Sequence, residues 1–261
     1  MGDLAYMMLM PFLFFFLFFL AYLFRKRKVE KILFAELDES EKDLEARDFF
    51  YNILKMERSA KSFYYLEIIF LIIDTFFILF GGYKTYLEEV EFVKEFPRII
   101  MSPLSPPLIK FMIPIVMWVF VFFSFIYVMI LKNKENRRIA EMLDNLEKVK
   151  HLKFAKEDFL RSDRILATGV VSMSDIKLGD RYLFSVYPAY IIPYIYIQKM
   201  EVERFYRRHG GSIYYLDITL KRTFQNIKIY FAKEDVAEKV KEFILEKNKN
   251  LNEKENTKWD I

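Results

Sequence analysis

The stretch "YLFSVYPAYIIPYIYIQ", Tyr182–Gln198, runs seventeen residues without a charge between Arg181 and Lys199. As a helix it would sit at the short edge of what spans a bilayer, and Pro188 and Pro193 would each cost a helix interior about 3 kcal/mol. Its Tyr and Ile residues suit strands instead. A crossing here would also move Lys199, Arg204, Arg207, Arg208, Lys221 and Arg222 to the far side of the membrane, against the cytoplasmic enrichment of Lys and Arg. The run is therefore expected as β-structure in a domain outside the bilayer.

Three other segments do have the length and apolarity of crossings. They are "PFLFFFLFFLAYLF" within residues 1–24, "SFYYLEIIFLIIDTFFILFGG" at 62–82, and "KFMIPIVMWVFVFFSFIYVMIL" at 110–131. The residues ahead of the first, "MGDLAY", carry Asp3 and no Lys or Arg, unlike the start of a cleaved signal. This helix is expected as a retained anchor.

Orientation follows from the flanks. "RKRK" at Arg25–Lys28 follows the first crossing, Lys55, Arg58 and Lys61 precede the second, and Lys132, Lys134, Arg137 and Arg138 follow the third. The 83–109 connection instead sets Glu88, Glu89, Glu91 and Glu95 against Lys84, Lys94 and Arg98. The rule places the N-terminus outside and the C-terminus in the cytoplasm of the plasma membrane. Pro97, Pro103, Pro106 and Pro107 make 83–109 an external loop. Residues 25–61 read as a cytoplasmic helical segment, and 132–160 as a helical linker with Ile139, Met142, Leu143, Leu146 and Val149 on one face.

Beyond residue 160, period-two alternation takes over. Met200 and Val202 alternate with Lys199, Glu201 and Glu203; Tyr214, Leu216, Ile218 and Leu220 with Asp217 and Thr219; Ile227, Ile229 and Phe231 with Lys228 and Tyr230. Gly210 and Gly211 mark the turn between the first two, so an antiparallel sheet is expected. "KEDVAEKVKEFILEK" places Val236, Val240, Phe243 and Ile244 on one stripe, with acids in its first turn. In this order, "IKLGDRYLFSV", "IIPYIYIQKMEVER", "GGSIYYLDITL", "FQNIKIYFA" and the closing helix resemble a PH-like domain of the bacterial PH/GRAM type appended to small prokaryotic membrane proteins. The resemblance implies a curved antiparallel barrel, residues 161–247, plugged by a C-terminal helix. It also implies binding of a protein partner or of lipid head groups. The fold expected is thus three transmembrane helices plus a cytoplasmic α+β PH-like domain, with a disordered tail at 248–261. The Tyr- and Pro-rich stretch 187–196 reads either as an aromatic surface at the membrane interface or as a strand edge ended by proline.

Composition excludes several chemistries. The chain has 261 residues and no cysteine, so disulfides, thiolate nucleophiles and Cys-based zinc sites are absent. His151 and His209 are its two imidazoles, too few for a multi-histidine metal site. The net charge of +4 is too mild to argue for nucleic acid. No phosphate loop, nucleophile elbow or zinc motif occurs, so no enzyme, cofactor or metal is expected.

Two groups of residues remain. Lys199, Arg204, Arg207, Arg208, Lys221, Arg222 and Lys228 surround one proposed hairpin, where they form either an anionic-lipid or partner surface or an ordinary solvated face. Glu67 and Asp74 lie two turns apart within the second crossing. Asp costs roughly 3 kcal/mol at the bilayer centre, which thirteen Phe, Leu and Ile residues at about 0.5 kcal/mol each outweigh. These acids read as a protonated Asp74 bonded to Ser124 or Tyr127 with Glu67 reaching water at the cytoplasmic surface, as a contact for another subunit's cation, or as part of a transport or channel path. The expected function is a membrane-anchored, non-enzymatic assembly or regulatory module, homo-oligomeric or with a partner; the alternative is a transport component.

Overall fold

The computed structural model describes residues 2–96, 102–170, 173–206, 211–221 and 226–256. In chain order they form α1 (Gly2–Leu33), α2 (Glu39–Lys42), α3 (Ala46–Leu54), α4 (Met56–Glu95), α5 (Ser105–Lys110), α6 (Met112–Lys148) and α7 (Leu152–Arg161). There follow β1 (Ile165–Leu166), β2 (Ile176–Leu178), β3 (Tyr182–Val186), β4 (Ala189–Pro193), β5 (Ile197–Tyr206), β6 (Ser212–Leu220), β7 (Asn226–Phe231) and α8 (Glu234–Asn256). Two compact units result: residues 1–25 with 60–134, and residues 26–59 with 135–261.

The first unit is a bundle. Among the described residues, α1, α4 and α6 are the three helices long and apolar enough to cross a membrane. Met10, Phe70 and Val121, one from each helix, are buried together, flanked by Phe14, Leu17, Leu71, Phe77 and Met117. Outward positions such as Phe12, Phe80 and Phe123 are bare apolar surface. That is the pattern of helices whose outer solvent is hydrocarbon.

Several boundaries differ from expectation. α4 does not stop at Gly82 but continues to Glu95, so the loop expected from residue 83 begins at Phe96. Two glycines cost about 1 kcal/mol each in a helix, and the helix formers Leu87, Glu88, Glu89, Glu91 and Lys94 carry it on until Pro97 approaches. Gly81 has a packing reason: a Cβ there would lie 2.5 Å from the Phe111 ring. Pro106 and Pro107, read as helix breakers, occupy the first turn of α5, where a missing N–H costs nothing.

The second unit holds the remainder. Within 25–61, expected as a helical segment, the chain breaks at Lys55, whose ψ of 138° is extended. The Asn136 side-chain oxygen accepts the Met56 N–H at 2.9 Å and so caps the restarted helix. Ile139, Leu143 and Leu146 are buried as the periodicity requires, but Val149 is exposed because α6 ends at Lys148 and the chain turns through Lys150 at φ 57°. The tail expected to be disordered from 248 is helical to Asn256: it contains no Gly or Pro, and Leu251 packs against the core. Residues 257–261 lie outside the described residues.

Two antiparallel sheets follow, ordered β1-β2-β3-β4 and β5-β6-β7. β3 explains the uncharged run. Its five residues are all buried, because Tyr182, Phe184 and Val186 pack against α3, α7 and the end of α1, while Leu183 packs with β5–β7 and α8. A strand covered on both faces has no polar side to show, so alternation disappears. Phe184 lies between the rings of Phe50 (6.1 Å, stacked) and Phe159 (5.1 Å, edge-on). Of the two readings of 187–196, the strand edge fits: β4 is an edge strand that stops at Pro193, and Tyr194 is fully buried.

Candidate binding face and intramembrane carboxylates

The register of β5–β7 sorts the candidate cations. Glu201 pairs with Asp217, which pairs with Lys228; Glu203 with Tyr215 and then Tyr230; Lys199 with Thr219 and then Asn226. Paired residues project to the same side, so these nine make one outer face, while Met200, Val202, Leu216, Ile218 and Ile229 turn inward. Lys199 bonds Glu201 at 2.8 Å, which holds its ammonium above the usual lysine range. Lys228 lies 4.0 Å from Asp217 and 4.4 Å from the Tyr215 ring centre, and the Tyr215 hydroxyl donates to Glu203. Three acids thus outnumber two lysines on this face.

The other candidates do not join them. Arg204 is on the opposite side of β5, where its Nε donates to Ser212 Oγ at 2.7 Å and its guanidinium covers Tyr206. Lys221 sits at the far end of β6, its backbone N–H donating to Tyr196 O. Arg207, Arg208 and Arg222 lie outside the described residues. One continuous basic patch is therefore not formed among the described cations. At the end of the β5–β6 hairpin, Phe205 and Tyr206 are 57% and 70% exposed.

The same unit contains polar ties that periodicity did not reveal. His151 Nδ1 lies 2.7 Å from the Tyr182 hydroxyl and its Nε2 3.1 Å from that of Tyr196, joining the start of α7 to the β-structure. Burial pushes the Tyr182 hydroxyl far above the usual tyrosine range. Lys177, on β2, is fully buried; it donates to Leu33 O at 2.7 Å and lies over the Phe159 ring. Loss of water pushes its pKa down to about 8. Asp158 accepts three backbone N–H groups, from Asp180, Arg181 and Tyr182, at 2.8–3.0 Å. Gly179 permits this, since any Cβ there would strike the Asp158 carboxylate. A cleft of about 470 Å³ beside this turn is lined by Arg161, Arg181 and Lys247 against Glu157, Asp158 and Asp180. Its charges balance, and Lys247 is spent on Asp180 at 2.6 Å, holding that carboxyl below its usual range.

In the helical bundle, Asp74 is fully buried by its own chain and neither carboxylate oxygen has a hydrogen-bond partner. The expected bond from Ser124 goes to Glu67 Oε1 instead, at 3.5 Å, and Glu67 Oε2 is unpartnered. Tyr127, the other suggested partner, is 61% exposed. Next to Asp74, Thr75 donates to Leu71 O and accepts from Trp118 Nε1 at 2.9 Å, tying α4 to α6. A cation on another subunit does not reach so enclosed a side chain. No known family model, curated protein or solved structure matches this chain.

Proposed function

We propose that the protein is a membrane-anchored, non-enzymatic binding module. Its N-terminus lies outside, its second unit lies in the cytoplasm, and residues 161–247 are a PH-like domain that recognises a protein partner. Two antiparallel sheets in sequence order, closed by one C-terminal helix, support the domain reading. The placement of Lys and Arg around the apolar helices supports the orientation.

The observation that carries the choice of partner is the outer face of β5–β7. Among the described residues, Glu201, Glu203 and Asp217 beside Lys199 and Lys228 leave no excess of positive charge on this face, which favours a protein partner over anionic lipid. Mixed charges with Tyr215 and Tyr230, next to exposed Phe205 and Tyr206, suit a protein surface, where aromatic anchors carry most of the energy. The test is crosslinking and gentle purification of the tagged full-length protein, followed by mass spectrometry. Phe205→Ser/Tyr206→Ser should release a specific partner that wild type retains. Retention of that partner by the variant, or binding to anionic vesicles that vanishes at high salt, would refute this reading.

A further inference from the structure

We infer that the cleft between α7, the β2–β3 turn and α8 binds a small molecule carrying a phosphate group on an apolar body, and that Arg161 and Arg181 hold the phosphate. This site is separate from the outer face of β5–β7 and does not depend on partner binding there. At about 470 Å³ the cleft has the size of a small-ligand pocket.

The formal balance of charge in the cleft is unevenly distributed. Asp180 is taken by Lys247 at 2.6 Å. Asp158 accepts the backbone N–H groups of Asp180, Arg181 and Tyr182, which stabilise its charge without a side-chain cation. Two guanidiniums, Arg161 and Arg181, are then left with one carboxylate, Glu157. Glu157 stands one turn before Arg161 on α7, yet no ion pair joins them. Among the described residues, neither guanidinium meets a carboxylate. That of Arg181 lies 5.7 Å from the centre of the Phe154 ring.

One residue fixes the frame from which both arginines issue. Asp158 lies three positions before Arg161 on α7, and its carboxylate accepts the Arg181 N–H at 2.9 Å. A frame set in advance lowers the cost of ordering a ligand site. Planar guanidinium forks take oxyanions through paired N–H groups. A single fork fills both oxygens of a carboxylate, whereas the three terminal oxygens of a phosphate monoester accept from two forks, so the pair of arginines selects phosphate. Phe154 and Leu251 add an apolar wall to the same cleft, which the body of the ligand would cover.

The test is arginine modification by phenylglyoxal in the full-length protein in phosphatidylcholine nanodiscs, read residue by residue by peptide mass spectrometry. Phenyl phosphate should slow labelling of Arg161 and Arg181 several-fold and leave the exposed Arg137 unchanged. Inorganic phosphate should need a higher concentration for the same protection. Arg161→Gln should abolish the protection of Arg181, and Phe154→Ala should bring the two phosphates level; both residues are exposed, so neither change disturbs the core. No protection by phenyl phosphate, equal protection of Arg137, or protection of Arg181 that survives Arg161→Gln would overturn the inference. So would equal protection by benzoate, which would make the ligand a carboxylate, or protection by phosphatidic acid in the nanodisc without protection by phenyl phosphate, which would make it a lipid head group. Phe205→Ser/Tyr206→Ser should leave the labelling pattern unchanged.

Discussion

The runs Met112–Leu131 and Tyr182–Gln198 are both free of charge, yet one is part of a 37-residue helix and the other two strands, a single helical turn and the start of a third strand. Absence of charge reports that a segment is covered on every side and is silent about what covers it. In α6 the cover outside the bundle is hydrocarbon, as the exposed rings of Phe120 and Phe123 imply. Around β3 it is protein: helices on one face, the second sheet and α8 on the other. Length, proline placement and the charges at the ends separate the two cases, and hydropathy alone does not.

The contrast has measurable consequences. Phe184→Ala removes a ring enclosed by Phe50, Phe159 and Tyr182, and should destabilise the second unit by about 3–5 kcal/mol, read as a fall in urea midpoint or protease resistance. Phe123→Ala, on an outward face, should leave the midpoint within about 0.5 kcal/mol. Equal effects would mean that the two runs are covered alike.

A smaller effect is expected at the β2–β3 turn. Gly179→Ala should cost about 2–3 kcal/mol, because the added methyl displaces the Asp158 carboxylate from three N–H groups. Asp158→Asn should lose part of the same energy, since the amide accepts through one oxygen only.

A pH-dependent effect is expected at Lys177. Its pKa falls from the ordinary 10.5 to about 8 on folding, so between those values the unfolded chain binds more protons and stability rises with pH. Lys177→Met should abolish that alkaline gain while stabilising the unit modestly near neutrality, where the buried ammonium is charged. An unchanged pH profile in the variant would show that Lys177 keeps its usual pKa.

How much of this was visible in the sequence depends on the range of the interaction. Period-two runs identified the inward residues of β5–β7, and the stripe Val236–Val240–Ile244 identified the buried face of α8, because both patterns are local. The break at Lys55 was not visible: the helix restarts at Met56 against Asn136, 80 residues further along the chain. Likewise Lys177 reads as one polar residue in a short strand, and only the fold brings it to the last turn of α1, 144 residues earlier. Asp74 and Glu67 were evident as misplaced acids, but which of them Ser124 serves is a matter of helix rotation, which composition does not encode. Among the described cations, Lys199 and Arg204 part for a related reason, since residues along one strand alternate between two faces.

The most direct measurement uses the absence of cysteine. Arg181→Cys and Lys199→Cys place single thiols at the two exposed ends of the uncharged run, and a membrane-impermeant maleimide applied to intact cells and then to lysed ones reports the side of each. If 182–198 is β-structure in a domain on the cytoplasmic side of the bilayer, both thiols stay unlabelled in intact cells and both react after lysis. Labelling of one from outside and the other from inside would make the run a fourth crossing and contradict the fold described.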